Sequence, residues 1–264
     1  MNQTTKKMRR KYTVLLILMI AITFPGCNSG SPGNDGTAEG TGAPATGVSE
    51  KFTGVKPYYL NGRLDREVTY VKGVRNGPTK TYYASGGIKQ IIPFANGLQT
   101  DTARWFYEDG KLYRNTPYVS DTIHGTQVQY YRSGRIKAKM TYIMGNRLPD
   151  LEEYYDNGKM KVFRRELIIK TRDEYTERGV FKIFAELDNK ATPVVFYLGE
   201  LVDGAFNPGT AIKMTNSGGM GFIELSRGSL RNSGSVLVIA EYMTDFGNKN
   251  FLTKRVNIPY RDVN

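Results

Sequence analysis

The chain has one cysteine, Cys27, and one histidine, His124. These residue types carry most nucleophilic, redox and metal-ligating chemistry, so their scarcity narrows the function at once. One cysteine cannot form an internal disulfide, a CxxC redox pair or a cysteine zinc site. One histidine leaves no His-based metal set or catalytic triad, and His124 reads as a surface or turn residue. Carboxylates do occur in pairs, Glu152-Glu153 and Asp173-Glu174. Neighbouring side chains on a strand point to opposite faces, so neither pair forms an acid/base couple by itself. Ser217-Gly218-Gly219-Met220-Gly221 is glycine-rich, yet neither a clear strand nor a helix frames it as a phosphate site, and it reads as a mobile loop. No dinucleotide fingerprint or nucleophile elbow occurs. The expectation is a binding protein rather than an enzyme, with no cofactor and no metal.

Chemistry is expected at Cys27 itself. Lys6, Lys7, Arg9, Arg10 and Lys11 form a basic start, followed by the apolar run Val14 to Ile22. That run is well short of the roughly 18–20 residues that span a bilayer, and it reads as a secretory signal over residues 1–26. It ends at Phe24-Pro25-Gly26-Cys27, which resembles the lipobox of bacterial lipoproteins. The resemblance implies cleavage before Cys27, acylation of that cysteine, and a membrane anchor. The next residue is Asn28, not the aspartate of inner-membrane retention signals, and the first acid is Asp35. By resemblance this implies the cell envelope, on the periplasmic face of the outer membrane.

Residues 27–52 then form a tether rich in glycine, with Pro32 and Pro44. From Asn28 to Ser49 it holds no aromatic residue and cannot bury enough apolar surface to offset ordering. As a coil it spans roughly 25–28 Å. The formal net charge is +12, and the five cations of the signal account for part of it, leaving +7. That balance suits a membrane surface, an anionic lipid or glycan, or an acidic protein patch, and does not require nucleic acid.

The middle of the chain repeats. Tyr58-Tyr59, Tyr82-Tyr83, Phe106-Tyr107, Tyr130-Tyr131 and Tyr154-Tyr155 each open a segment of the form aromatic-aromatic-x-x-Gly-x-aliphatic, and every step is 24 residues. A second aromatic follows at Tyr70, Phe94, Tyr118 and Tyr142. Such a period marks a repeat architecture, expected over residues 53–163. Asn-Gly, Ser-Gly or Asp-Gly between aromatic and aliphatic residues predicts a two-residue hairpin turn in each unit. With Asn61-Gly62 as the turn, Tyr59 opposes Leu64 and Tyr58 opposes Asp65. Alternation then predicts a packing face of Tyr59, Tyr83, Tyr107, Tyr131 and Tyr155, sharing its parity with Tyr70, Phe94, Tyr118 and Tyr142. The other face collects Tyr58, Tyr82, Phe106, Tyr130 and Tyr154, with Lys89, Lys137 and Lys161 among the residues opposite. This aromatic and basic face is the candidate binding surface. Tyrosine supplies amphipathic contact area and lysine attracts anions, although the same residues can simply stabilise a sheet.

The unit Tyr-Tyr-x-x-Gly-[Arg/Lys]-[Leu/Ile], with Gly73, Gly77, Gly97, Gly125 and Gly145 following, resembles the MORN-repeat variant family from about Pro57 to Val162. That family often carries an antitoxin label. The resemblance implies an antiparallel meander of hairpins and, in the wider family, protein contacts or membrane lipids. Asp101, Asp121 and Pro149 stand where related units often carry glycine, so irregular second turns are expected there.

From residue 164 to 264 the pattern is non-repetitive β. Phe181, Ile183, Ala185 and Leu187 alternate, and apolar runs follow at Val194 to Leu198 and Val236 to Ala240. Asp245 to Asn250 reads as the turn of the last hairpin. Short strands separated by turn clusters predict an antiparallel sandwich. Its size resembles an immunoglobulin-like domain, without the cysteine pair or core tryptophan of antibody modules. The fold expected is therefore all-β. The function expected is a lipid-anchored envelope protein that binds an envelope protein partner, as a scaffold or as a subunit of an envelope or secretion assembly. Immunity against a toxin, or binding of anionic lipid or glycan, are the alternatives.

Overall fold

The computed structural model describes residues 51–188, 193–226 and 234–259. The expected signal, Cys27 and the tether through residue 50 lie outside the described residues.

Among the described residues, one antiparallel sheet holds the repeats. Its strands are β1 (Gly54–Leu60), β2 (Arg63–Val71), β3 (Val74–Tyr82), β4 (Ile88–Ala95), β5 (Leu98–Gln99), β6 (Asp101–Phe106), β7 (Leu112–Val119), β8 (Thr122–Ile123), β9 (Gly125–Tyr130), β10 (Ile136–Ile143), β11 (Asn146–Arg147) and β12 (Glu152–Glu153). The meander follows chain order, with β5–β6, β8–β9 and β11–β12 as interrupted strands. The Phe52 carbonyl accepts from Gly73 N–H at 2.7 Å.

The two long edges of the sheet use different turns. Asn61-Gly62 forms the predicted two-residue turn, with positive φ at both residues. The later units do not. Tyr83 N–H donates to Gly87 O, and Gly86 N–H donates to Tyr83 O. Only Gly86 of the central residues takes a positive φ, of 87°. This is a three-residue loop, a type I turn closed by a left-handed glycine, and it recurs at Gly110, Gly134 and Gly158. In three of the four loops the residue before glycine supports this geometry. Asp109, Ser133 and Asn157 turn their side-chain oxygens onto the N–H of Lys111, Arg135 and Lys159, which holds the type I geometry. The two-residue turns lie instead on the opposite edge, at Lys72-Gly73, Asn96-Gly97, Ser120-Asp121 and Met144-Gly145, all with positive φ. The strand does break at Asp101, which takes a φ of 57°. Pro149 lies in the gap between β11 and β12. Asp121, in contrast, sits in a regular turn, where its carboxylate accepts from Gln99 N–H at 2.6 Å.

The longer loops correct the predicted register. Tyr82 pairs with Ile88, Phe106 with Leu112 and Tyr130 with Ile136, rather than with the residue after each. A bulge follows at Lys89, Tyr113 and Lys137 and restores the expected pairing beyond it. In the first hairpin the bulge has the opposite effect. Tyr58 pairs with Arg66 instead of Asp65, which moves Tyr58 to the face of Val68 and Tyr70. Its hydroxyl meets that of Tyr70 at 3.0 Å.

The second tyrosine of each pair does not build a continuous core. Tyr83 donates to the Phe106 carbonyl at 2.6 Å, Tyr107 to Tyr130 O at 2.8 Å and Tyr131 to Tyr154 O at 2.7 Å. Each unit is thus tied to the first aromatic of the next. Tyr59, 66% exposed, makes no such bond.

The C-terminal region is an antiparallel β-sandwich. One sheet has the order β13 (Leu167–Glu174), β14 (Val180–Leu187), β18 (Met220–Ser226), β17 (Thr215–Ser217). The other has the order β16 (Ile212–Lys213), β15 (Val194–Gly199), β19 (Ser235–Met243), β20 (Lys249–Asn257). A one-turn helix, Tyr175–Arg178, joins β13 to β14. Phe181, Ile183, Ala185 and Leu187 face the core, as their alternation predicts. The run Val236 to Ala240 is apolar on both faces for a structural reason. Val236, Val238 and Ala240 fill the sandwich core, while Leu237 and Ile239 pack outward with Phe206 and Phe251. Gly221 is required on β18, because a Cβ there would lie 2.5 Å from the Phe196 ring.

The sandwich caps the repeat sheet. Glu153, fully buried at 0% exposure, accepts from Thr244 Oγ1 at 2.6 Å and Asn248 Nδ2 at 2.8 Å. Lys161 Nζ lies 3.7 Å from Glu153 and 3.0 Å from Asp245. Gln129 donates to Asn248 Oδ1 at 2.9 Å, and Tyr155 meets Phe246 edge-on at 5.7 Å.

Two stability predictions follow from these contacts. Tyr107→Phe removes one inter-unit bond and is expected to cost about 1 kcal/mol in urea unfolding. Tyr59→Phe, which removes none, should cost less than half as much, and equal losses would contradict the tie. Glu153→Ala removes the acceptor that joins the two regions and leaves Lys161 short of a partner. Its expected cost is about 3 kcal/mol by the same measurement.

Candidate functional site

The repeat sheet offers two different faces. The open face carries Tyr82, Phe106, Tyr130 and Tyr154, as predicted for those four. Each lies near a residue on its own face whose position also repeats every 24 residues. The Tyr82 hydroxyl donates to Glu67 Oε2 at 2.6 Å. Asn115 Nδ2 approaches the Tyr130 hydroxyl at 3.4 Å. Lys139 Nζ lies 5.6 Å from the Tyr154 ring centroid. The remaining repeat position is Ile91, in the unit whose aromatic is Phe106 and has no hydroxyl to satisfy. Glu152 accepts from the Tyr154 hydroxyl at 2.6 Å and pairs with Lys139 at 3.4 Å. That hydrogen bond holds the Glu152 carboxyl below its ordinary value, with the Lys139 charge pulling the same way.

The structure does not bring all predicted site residues onto this face. Tyr58 has crossed to the other side. The three lysines sit at the turn edge: Lys89 and Lys137 each occupy a bulge, and Lys161 follows the Tyr154–Met160 bridge. Lys89 is exposed and lies 5.9 Å from the Tyr83 ring. Lys137 stands 5.9 Å from the Tyr131 ring and 5.8 Å from that of Phe246. Lys161 is 4.4 Å from the Phe246 ring and is held by Glu153 and Asp245. Lys137 and Lys161 therefore belong to the contact with the sandwich, and their charge is not presented on the open face.

The opposite face meets the sandwich and leaves a cleft of about 460 Å³. Arg114, Gln127, Gln129, Tyr142 and Arg147 line it from the repeats, and Phe206 and Phe251 from the sandwich. Arg147 is 8% exposed and stacks 4.8 Å from the Phe251 ring. Arg114 lies 4.2 Å from the Trp105 ring. Sequence reasoning missed this cleft. Gln127 and Gln129 alternate on one strand, which marks a polar inward face, but the partner of Gln129, Asn248, is 119 residues away. Among the described residues, no group of three or more His, Cys, Asp or Glu side chains could hold a metal ion.

The period, the glycine-closed turns and the inter-unit tyrosine bonds recur over the same stretch. Residues 75–96, 102–120 and 123–144 match the MORN repeat variant family. The MORN-like units thus span β3 to β10, and the match stops short of both the first hairpin and the sandwich. None of the curated proteins matches the chain. The first hairpin differs structurally as well, in its two-residue turn and in the side taken by Tyr58.

The open face has a pH signature. Burial pushes the Tyr82 hydroxyl up to about 12, and the hydrogen bond to Glu67 and that carboxylate's charge push the same way. A pKa raised on folding stabilises the protonated state, so this contribution is complete below pH 10 and is lost as pH rises through about 12. Carbon-13 NMR of the tyrosine ring should show Tyr82 ionising near 12, and Glu67→Gln should lower that value. An ordinary value for Tyr82 in the wild-type chain would mean that the hydroxyl is neither buried nor paired with Glu67.

Proposed function

We propose that the protein is a lipid-anchored envelope protein that binds another protein through the open face of its MORN-like sheet. It acts as a scaffold or as a subunit of an envelope or secretion assembly. The observation that carries this reading is the row Tyr82, Phe106, Tyr130 and Tyr154. It sets large amphipathic side chains at repeat spacing on one sheet face, while the contacts with the sandwich come from the other face and the turn edge. Aromatic side chains with a polar tip suit protein interfaces, because they bury area and still satisfy a hydroxyl. The lipobox-like Phe24-Pro25-Gly26-Cys27 and the glycine-rich tether support an anchor, with the periplasmic face of the outer membrane as the location. The sandwich is read as immunoglobulin-like on its strand order. The order β13-β14-β18-β17 against β16-β15-β19-β20 resembles that fold with one added edge strand, which supports this reading.

The test is crosslinked affinity purification of the chain from its native envelope, alongside a Cys27→Ser control and a Tyr82→Ser/Phe106→Ser/Tyr130→Ser variant. One stoichiometric protein partner is expected, with affinity for the triple variant falling by about 100-fold or more. Thermal unfolding must show that the variant still folds. A partner retained at full strength by the folded variant would remove the open face from the function. Enrichment of lipid or glycan without protein would replace the protein-binding reading. Capture of a toxin would assign the partner to an immunity role.

A further inference from the structure

The cleft between the repeat sheet and the sandwich holds a charge imbalance that the fold does not resolve. Arg147 is nine-tenths buried, yet its Nε and Nη2 have no hydrogen-bond partner. The Nε of Arg114, on the wall formed by β7, is also unpartnered. Buried guanidinium N–H groups are normally paired, because leaving them bare forfeits their hydration with no return. Among the described residues, no carboxylate lies within ion-pair distance of either arginine. The nearby acids are engaged elsewhere. Glu153 Oε1 accepts from Thr244 and Asn248, while Oε2 makes no hydrogen bond and has only the Lys161 charge, at 3.7 Å. Glu241, which also lines the cleft, pairs with Lys249 at 2.9 Å. Asp150 accepts from Thr141 N–H at 3.1 Å. Burial accordingly pulls Arg147 below its ordinary value, and the charges of Asp150, Glu241 and Glu153 only partly oppose this.

The rest of the lining narrows the ligand. Gln127 is buried, and its amide nitrogen reaches only the Met140 sulfur, at 3.4 Å, which is a weak acceptor. Tyr118 and Tyr142 add hydroxyls to the wall, and Phe206 supplies an apolar ring. Two planar cations, an underused amide, two hydroxyls and an aromatic surface share one cleft. A guanidinium fork matches a carboxylate with two parallel hydrogen bonds. Amide and hydroxyl groups pair with ring hydroxyls, and an aromatic face packs on the C–H side of a sugar. We propose that this cleft is a binding site for a carboxylate on a hydroxylated ring, a sugar acid, with the acid group held by Arg147 and Arg114. The cleft volume of about 460 Å³ falls within the range of small-ligand sites. The site does not depend on the protein-binding reading, because it uses the opposite face of the sheet.

The experiment titrates the full chain with sodium glucuronate, glucose and inorganic phosphate by calorimetry, for wild type, Arg147→Gln and Arg114→Gln. Glucuronate is expected to bind, glucose to bind at least ~10-fold more weakly, and each variant to lose ~10-fold or more in glucuronate affinity. Thermal unfolding without ligand checks each variant, and if Arg147→Gln fails to fold, Arg114→Gln decides. No glucuronate binding, or equal affinity in a folded variant, overturns the site. Phosphate binding as tightly as glucuronate overturns the sugar-acid class, because a bare anion would then suffice.

Discussion

The buried carboxylate of Glu153 is the joint on which this structure depends. A row of hairpins, each tied only to its neighbours, ends in an unsatisfied unit wherever the row stops. Here the fifth unit stops at Tyr155, which has no following carbonyl to receive its hydroxyl. The turn of the last sandwich hairpin takes that place. Thr244 N–H donates to Asn248 O and Gly247 N–H to Thr244 O, the same pattern as the loop from Tyr155 to Lys159. Phe246 then sits against Tyr155, where a sixth aromatic would stand. Glu153 locks the substitution, since its Oε1 accepts from both Thr244 and Asn248 on that turn. The sandwich is thereby the cap of the repeat array, and the array positions the sandwich.

Much of this was legible in the residues. The 24-residue period, the all-β fold, the alternation of β14 and the continuous apolar strand β19 all follow from composition and spacing. The turn type was legible only in part. Asn61-Gly62 and Asn157-Gly158 look alike, yet the first makes a two-residue turn and the second a three-residue loop. Both options satisfy the dipeptide, and a side-chain oxygen turned onto the N–H after glycine accompanies the three-residue loop at Asp109, Ser133 and Asn157 but not at Ser85. One residue of difference at the turn then moves a bulge and decides the side on which Tyr58 lies. Local propensity fixes the period, and cross-strand packing fixes the register.

The candidate site was legible for the residues that repeat and not for those that do not. Tyr82, Phe106, Tyr130 and Tyr154 recur, so their shared face could be read from the period. Lys137 and Lys161 fit the same pattern, but Phe246 and Asp245 claim them from a distant part of the chain. Arg147 and Gln129 have no repeat signature at all. Their meaning comes from Phe251 and Asn248, and a contact across so many residues leaves no local mark in the sequence.

The two faces of one sheet therefore answer to different constraints. On the open face the tyrosine hydroxyls find partners within the sheet, as with Tyr82 on Glu67 and Tyr154 on Glu152, and the buried group left over is the neutral Asn115 Oδ1. Such a surface is stable alone, and a partner can cover it without stranding a charge. On the covered face the sandwich closes over the sheet and yet leaves guanidinium groups without acceptors. Packing alone would favour an apolar residue at Arg147, since a hydrophobic side chain beside Phe251 would lose nothing by burial. A cation retained where no hydrogen-bond acceptor in the fold meets its Nε and Nη2 is what the proposed ligand would answer. This difference in how charge is satisfied, rather than exposure alone, is what supports the proposals of a docking face on one side and a ligand cleft on the other.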